Sequence, residues 1–316
     1  MSQKERYKQM CKTHSIPIFS QHWWLDAVCG HQHWDILLAT KNDQYIASLP
    51  IYTKTKIRCH CIVMPPLTQT LGPHLFYPDN QSHSKKLSFE KEVFSALIKA
   101  LPKFGYFSQN FQYSHTNWLP FCWNGFNQST RYTYRLEDLS DLDQLYSRFQ
   151  SKIKTDIQKA AKHLTIQESH DIDLFYSLIQ KTFSRQKLSV PYSLTLLKQI
   201  DTACYNQNCR QLFLAVDSNG NCHAGTYLIW DSHSAYYLIG GGDPELRNSG
   251  ATSLLVWKCI QFASKVTTSF DFEGSMLQPV ERFFRGFGAQ QTPYFEISKA
   301  TSRLIQTGLF LKRVTS

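Results

Sequence analysis

Apolar positions in the second half of the chain follow two periods, and the change between them marks out the elements. From Ser140 onward, Leu142, Leu145, Tyr146, Phe149, Ile153, Ile157 and Ala160 recur in steps of three and four, one face of a long helix. Ser140 with Asp143 three residues on reads as its capping box. Further helices are predicted over 171–186, with Phe175, Leu178, Ile179 and Phe183 inside, and over 193–205. The spacing then becomes strand-like over 211–216, 223–230 and 235–240. The turns between are Asp217-Ser218-Asn219-Gly220 and Asp231-Ser232-His233-Ser234, short enough to make an antiparallel meander. Gly240-Gly241-Gly242-Asp243-Pro244 opens a loop. A helix over 251–264, a strand over 269–272, a short helix begun by Pro279 and a strand over 293–298 follow.

The first half repeats this order. A helix over 21–29 precedes strands over 35–40, 44–53 and 56–63, then a loop over 64–74 and a helix over 88–101 stopped by Pro102. Strands over 104–113 and 132–136 close it. Trp123-Asn124-Gly125-Phe126 ahead of Tyr132 mirrors Phe284-Arg285-Gly286-Phe287 ahead of Tyr294. Two copies of one plan are expected, over 1–138 and 139–316.

Composition agrees with two domains, since 316 residues at roughly 150 per domain give about two. A chain with 42% hydrophobic and 14% aromatic residues builds a core, which excludes a disordered, collagen-like or small disulfide-stapled protein. Lys and Arg number 34 against 24 Asp and Glu, a net charge of +10. That balance favours anionic partners. Much of it lies at the chain ends and over 148–162, where Arg148, Lys152, Lys154, Lys159 and Lys162 face one acid, Asp156. No groove-reading motif accompanies it, so DNA is not an expected partner. MSQKERYKQMCKTHS has no apolar signal-peptide core, and no apolar run reaches the roughly 18–20 residues of a membrane span. A cytoplasmic protein with reduced thiols is expected, because the nine cysteines are odd in number and irregular in spacing. Cys59-His60-Cys61 alternates like a strand without the turn that zinc ligand pairs need, so no metal site is expected. The twelve histidines make no metal-protease spacing, and the chain has neither a serine nucleophile elbow nor a P-loop.

The chemistry concentrates at Arg247-Asn248-Ser249-Gly250-Ala251, a loop that delivers the chain into a helix. The first amides of a helix lack internal partners and attract anions, and Gly250 permits a close approach of phosphate to the backbone. The element order and this loop resemble the GNAT acyltransferase fold, whose loop motif is Q/R-x-x-G-x-G/A. Arg247 and Gly250 match it, and Thr252 stands in the last place. The tandem plan resembles the FemAB-like branch, which holds the FemABX peptidyltransferases and the related BioF2-like acetyltransferase domain. Ser151-Lys152-Ile153-Lys154, Tyr237-Leu238-Ile239-Gly240-Gly241, Leu254-Leu255-Val256-Trp257, Phe270-Asp271-Phe272-Glu273-Gly274 and Phe283-Phe284-Arg285-Gly286-Phe287-Gly288 carry that likeness.

The resemblance implies an α/β fold of α+β type: two GNAT-like domains, each a mixed, mostly antiparallel sheet flanked by helices. It implies an acyltransferase of the EC 2.3 kind, moving an acetyl or acyl group from acyl-CoA to an amine, with no permanently bound cofactor. Arg247, Asn248, Ser249, Gly250 and Ala251 would hold the donor's pyrophosphate. FemABX enzymes use aminoacyl-tRNA and a peptidoglycan precursor, and their pattern is close to F-K-x-x-F-G. Here Phe284 stands at the Lys position, and no heptad segment supplies the coiled coil that some members carry. Acyl-CoA is therefore the expected donor and a small-molecule or peptidoglycan-precursor amine the acceptor. The alternatives are a tRNA-dependent transferase and an inactive GNAT-like binding protein.

Acyl transfer to an amine needs a proton acceptor, donors for the oxyanion and a grip on the anionic tail. Glu273, at a strand end before Gly274, is the expected base, and Asp271 two residues earlier shares its face. The competing reading pairs either carboxylate with Arg282 or Arg285. Tyr236 and Tyr237 face opposite ways, one towards the core and one, taken as Tyr237, towards the site. The stiff stretch 65–73 is expected to shape the acceptor site.

Overall fold

The computed structural model describes residues 1–56, 59–274 and 276–307. Residues 57 and 58 of the expected third strand, and the basic C-terminal end from 308, lie outside them. By compactness the chain divides into two units, one of residues 1–131 with 293–316, the other of residues 132–292.

The first unit begins with α1 (Gln3–Thr13), closed by a capping box between Ser2 and Glu5, and α2 (His22–Cys29). Strands β1 (Trp34–Lys41), β2 (Gln44–Lys56) and β3 (Cys59–Val63) form an antiparallel meander, with the two-residue β4 (His74–Leu75) beside β2. Helix α3 (His83–Ala100) leads to β5 (Tyr106–Asn110), parallel to β3, and then α4 (Leu119–Trp123) leads into β6 (Asn127–Leu136). The 64–74 loop is tied down within this unit. The Trp24 indole donates to Thr68, the Asn110 amide donates to the Gln69 carbonyl, and Leu71 is buried. Aromatic contacts among Phe94, Phe107, Phe111, Phe121 and Phe126 fill the core between α3 and the sheet.

The second unit begins inside β6. It continues through α5 (Leu142–Ser147), α6 (Ser151–Ala160), β7 (Leu164–Ser169), α7 (Ile172–Arg185) and α8 (Leu194–Asn206). The meander is β8 (Arg210–Asp217), β9 (Cys222–Trp230) and β10 (Ala235–Gly242). Then come α9 (Ala251–Ala263), β11 (Phe270–Asp271), α10 (Gln278–Arg285) and the start of β12 (Gln290–Ala300), whose residues from 293 belong to the first unit. Asp171 and Ser193 cap α7 and α8 by accepting from the amides of Leu174 and Leu196.

Both sheets are mixed and mostly antiparallel, flanked by helices. The strand order is β1-β2-β3-β5-β12 in the first unit and β6-β11-β10-β9-β8-β7 in the second. Each is a meander with one parallel neighbour and one further antiparallel strand, which is the repeat expected from the sequence. The division at 138/139 does not match the compact units, because the last strand of each plan is exchanged. β5 pairs with Glu296–Ala300 of β12, and β11 pairs with Arg135 and Leu136 of β6. Hydrophobic period fixes which face of a strand is buried, and it does not fix which partner the strand finds.

The predicted long helix is interrupted. Asp141, and not Ser140, caps α5, and Gln150 adopts an extended backbone before α6 begins. The Gln150 amide donates to the Gly286 carbonyl, and buried Phe149 packs edge-on to Trp257 and Phe287. Tertiary packing thus overrides a continuous helical period. Strand β7 has no counterpart in the sequence reading. It pairs along β8 from Leu164–Asp217 to Ser169–Leu212.

Candidate active site

The site begins with the way β10 leaves its neighbours. Against β9, Tyr237 faces Leu228 and Ile239 faces Tyr227, so Leu238 is an extra residue and the strand bulges there. Against β11, pairing is confined to Ala235–Phe270 and Tyr236–Asp271. Beyond that point β10 runs on to Gly242 while β11 has ended, and its edge groups are left without strand partners. Tyr236 is buried, whereas Tyr237 lines a cavity and packs edge-on against Phe284. Burial raises the Tyr237 hydroxyl well above its ordinary pKa.

That cavity, of about 190 Å³, runs along Gly240, Gly241 and Gly242 to Arg247, Ser249 and Ala251, and α7 adds Thr182 and Arg185 to its wall. A second cavity of about 550 Å³ is lined by Lys152, Lys159, Arg247, Asn248, Gly250 and Thr252. Arg247 and Thr252 border both. The loop is a 3₁₀ turn over Arg247–Ser249, held by Lys159, whose ammonium donates to the Asn248 carbonyl at 2.8 Å. The Ser249 hydroxyl accepts from the Ala251 amide, which leaves the following amides of α9 to outside partners. Lys152 pairs with Asp156, one turn along α6, at 3.3 Å. The five loop residues singled out in the sequence therefore stand together, on cationic ground at a helix start.

Gly250 is required for a reason other than ligand approach. Its φ is +82°, and a Cβ there would overlap the main-chain carbonyl of Asp156. The glycine is what lets the start of α9 pack on α6.

Asp271 and Glu273 do not share a strand face. β11 ends at Asp271, and Glu273 lies beyond it with φ +58°, followed by Gly274 with φ +61°. Gly274 is pressed against the backbone of Tyr132 and Thr133, where no side chain fits, and this turns the chain sharply. The Asp271 carboxylate accepts from the Thr133 hydroxyl and, at 2.7 Å, from the Glu273 amide, so it builds the turn. Arg285 binds Glu281 on its own helix at 2.8 Å. Glu281 also accepts from the Tyr134 hydroxyl at 2.7 Å. Burial, and then the charge of Asp271, push the Glu273 carboxyl well above the usual carboxylate range. Its buried Oε1 has no hydrogen-bond partner among the described residues. Neither acid lines the two cavities.

His223 does line the smaller cavity, and the sequence reading passed over it. Its Nε2 lies 3.3 Å from the Asp217 carboxylate. The signal was local. An Asp-Ser-Asn-Gly turn between β8 and β9 returns the chain so that position 223 meets position 217. Among the described residues, no cluster of three or more His, Cys, Asp or Glu side chains is placed to hold a metal.

Residues 147–276 of the chain match the model of the acetyltransferase (GNAT) domain. Its fold is shared with the crystal structure of FemX, at 12% identity and a TM-score of 0.69 over 97% of this chain and 98% of that one. It is also similar to a C-terminal domain from Agrobacterium fabrum described as that of a lysylphosphatidylglycerol synthetase, at 10% identity and a TM-score of 0.57 over 99% and 95%. A tandem GNAT protein from the clavulanic acid biosynthesis pathway matches at 9% identity and a TM-score of 0.50 over 84% and 82%. Comparison with curated proteins by sequence gives no match. At such identities the likeness is one of fold.

Proposed function

We propose that the protein is an N-acyltransferase that takes an acetyl or longer acyl group from acyl-CoA and gives it to an amine. The observation that carries this reading is the meeting of two cavities at Arg247. One is lined by Lys152, Lys159 and the start of α9, the other runs along β10. A donor with a phosphorylated head and a long neutral arm suits that pair. The head would take the cations and the free amides of α9, and the arm would lie along Gly240–Gly242 towards the bulge. Edge amides of β10 beyond its last contact with β11 are the donors available to a developing oxyanion.

Asp271 contributes by fixing the turn that holds Glu273. Burial and the neighbouring Asp271 charge let Glu273 hold its proton to higher pH than a free glutamate does.

Calorimetry with acetyl-CoA and longer acyl-CoAs tests the donor. Heat that falls as salt is raised is expected, and no heat with any acyl-CoA overturns the reading. A second reading, an aminoacyl-tRNA donor with a peptidoglycan-precursor amine, draws on the breadth of the FemX-like fold. Against it, Phe284 occupies the position of the family's lysine and is core-packed. Co-purification of tRNA, with affinity falling steeply in salt, would favour it.

A further inference from the structure

The cavity along β10 has two unlike ends. At one stand the exposed guanidiniums of Arg185 and Arg247, with the first residues of α9. From there the lining follows β10 over Gly242, Gly241 and Gly240, which carry no side chains, to the partly buried ring of Tyr237 at the bulge. A donor with an anionic head and a neutral acyl end would meet cations first and an aromatic ring last.

The bulge is what turns that ring towards the cavity. Tyr237 stands opposite Leu228 and Gly240 opposite Thr226, and Leu228 and Thr226 are two apart on β9. Tyr237 and Gly240 therefore share a face of β10, which residues three apart on a regular strand do not. The Tyr237 hydroxyl lies against Gly240, at the place a Cβ would occupy. The ring also meets Phe284 at 5.8 Å between centroids and 72° between planes, and Phe284 is itself buried and packed on Phe272. A side chain held between a backbone and a close-packed aromatic cluster yields little to a ligand pressing on it.

We infer that Tyr237 is the stop against which the donor's acyl group ends, so that the donor carries a short acyl chain, acetyl or propionyl. This rests on the acyl-CoA reading above and narrows it from any chain length to the short ones. The cavity, at about 190 Å³, is smaller than the roughly 300–1,000 Å³ of sites that enclose a whole small molecule. The arm of the donor would fill it as far as the thioester, and a longer chain would run into the ring. Against a rigid wall, each surplus methylene weakens binding by about tenfold or more.

The test uses the full chain and calorimetry with acetyl-, propionyl-, butyryl- and hexanoyl-CoA. In wild type, affinity should fall by about tenfold or more from propionyl- to hexanoyl-CoA. Tyr237→Leu should raise the ratio of hexanoyl- to acetyl-CoA affinity by at least about tenfold. A purely structural role would weaken all four donors alike and leave that ratio where it was. Equal affinity of wild type for acetyl- and hexanoyl-CoA, or a wild-type ratio in folded Y237L, overturns this inference and leaves the donor reading intact. No heat with any acyl-CoA overturns the donor reading and this inference with it. Should Y237L fail to fold, Tyr237→Phe decides, because it removes only the hydroxyl that lies against Gly240. A gain of butyryl- over acetyl-CoA in Y237F supports the inference, and an unchanged profile overturns it.

Discussion

The α-carbon of Gly250 faces the main-chain carbonyl of Asp156, with no room between them for a side chain. Through that contact the start of α9 sits on α6, and Lys152 and Lys159 of α6 line one cavity with Arg247.

Gly250→Ala should therefore damage fold and donor site together. The residue would have to hold φ at +82° and overlap Asp156. A loss of about 2–4 kcal/mol in urea unfolding is expected, with weakened acetyl-CoA binding in whatever remains folded. A stability within about 0.5 kcal/mol of wild type would show that α6 and α9 separate freely.

Arg247→Ala should act on the ligand and spare the fold. The side chain is exposed, and no ion pair ties it to the protein among the described residues. Acetyl-CoA affinity should fall by about tenfold, equivalent to ~1.4 kcal/mol, with a shallower salt dependence and an unchanged melting temperature. Equal affinity in the variant would remove Arg247 from the donor site.

Glu273 gives a pH prediction. Burial and Asp271 raise its proton affinity in the folded chain above that in the unfolded chain. The stability it contributes is full below the ordinary value of 4.5 and is lost as pH climbs through the raised value. Glu273→Gln keeps the neutral shape and removes the titration. Unfolding midpoints at about pH 5, 7 and 9 should decline less in E273Q than in wild type. Parallel declines would place the pH dependence elsewhere.

Phe284→Lys tests whether the FemABX lysine position can be refilled. Phe284 is 4% exposed and packs against Tyr237, Phe272 and Phe283. An ammonium there would be buried among aromatic rings, so a loss of about 3 kcal/mol or more is expected from chemical unfolding. A stable variant would mean that the ring leaves the core without cost.

Much of this protein was legible in the sequence because it is local. The period-four face of α7 with Asp171 at its cap, the turns that fold β8, β9 and β10 back on each other, and the Arg247–Ala251 loop before α9 depend on residues a few positions apart. So does the likeness of the Trp123–Phe126 and Phe284–Phe287 stretches, each of which ends a short helix and begins a strand. The tertiary structure decided what distance decides. Gln150 finds the Gly286 carbonyl, so one helix becomes two. Thr133 reaches Asp271 from 138 residues away and Gly274 presses on Tyr132, so Glu273 leaves the strand and turns. β6 and β12 exchange sheets, because a strand's pattern names its buried face and not its neighbour. His223 stands between the two cases. Asp217 six residues back meets it through a hairpin the sequence already implied, yet only the packing of α7 and the Arg247 loop brought that residue to a cavity wall.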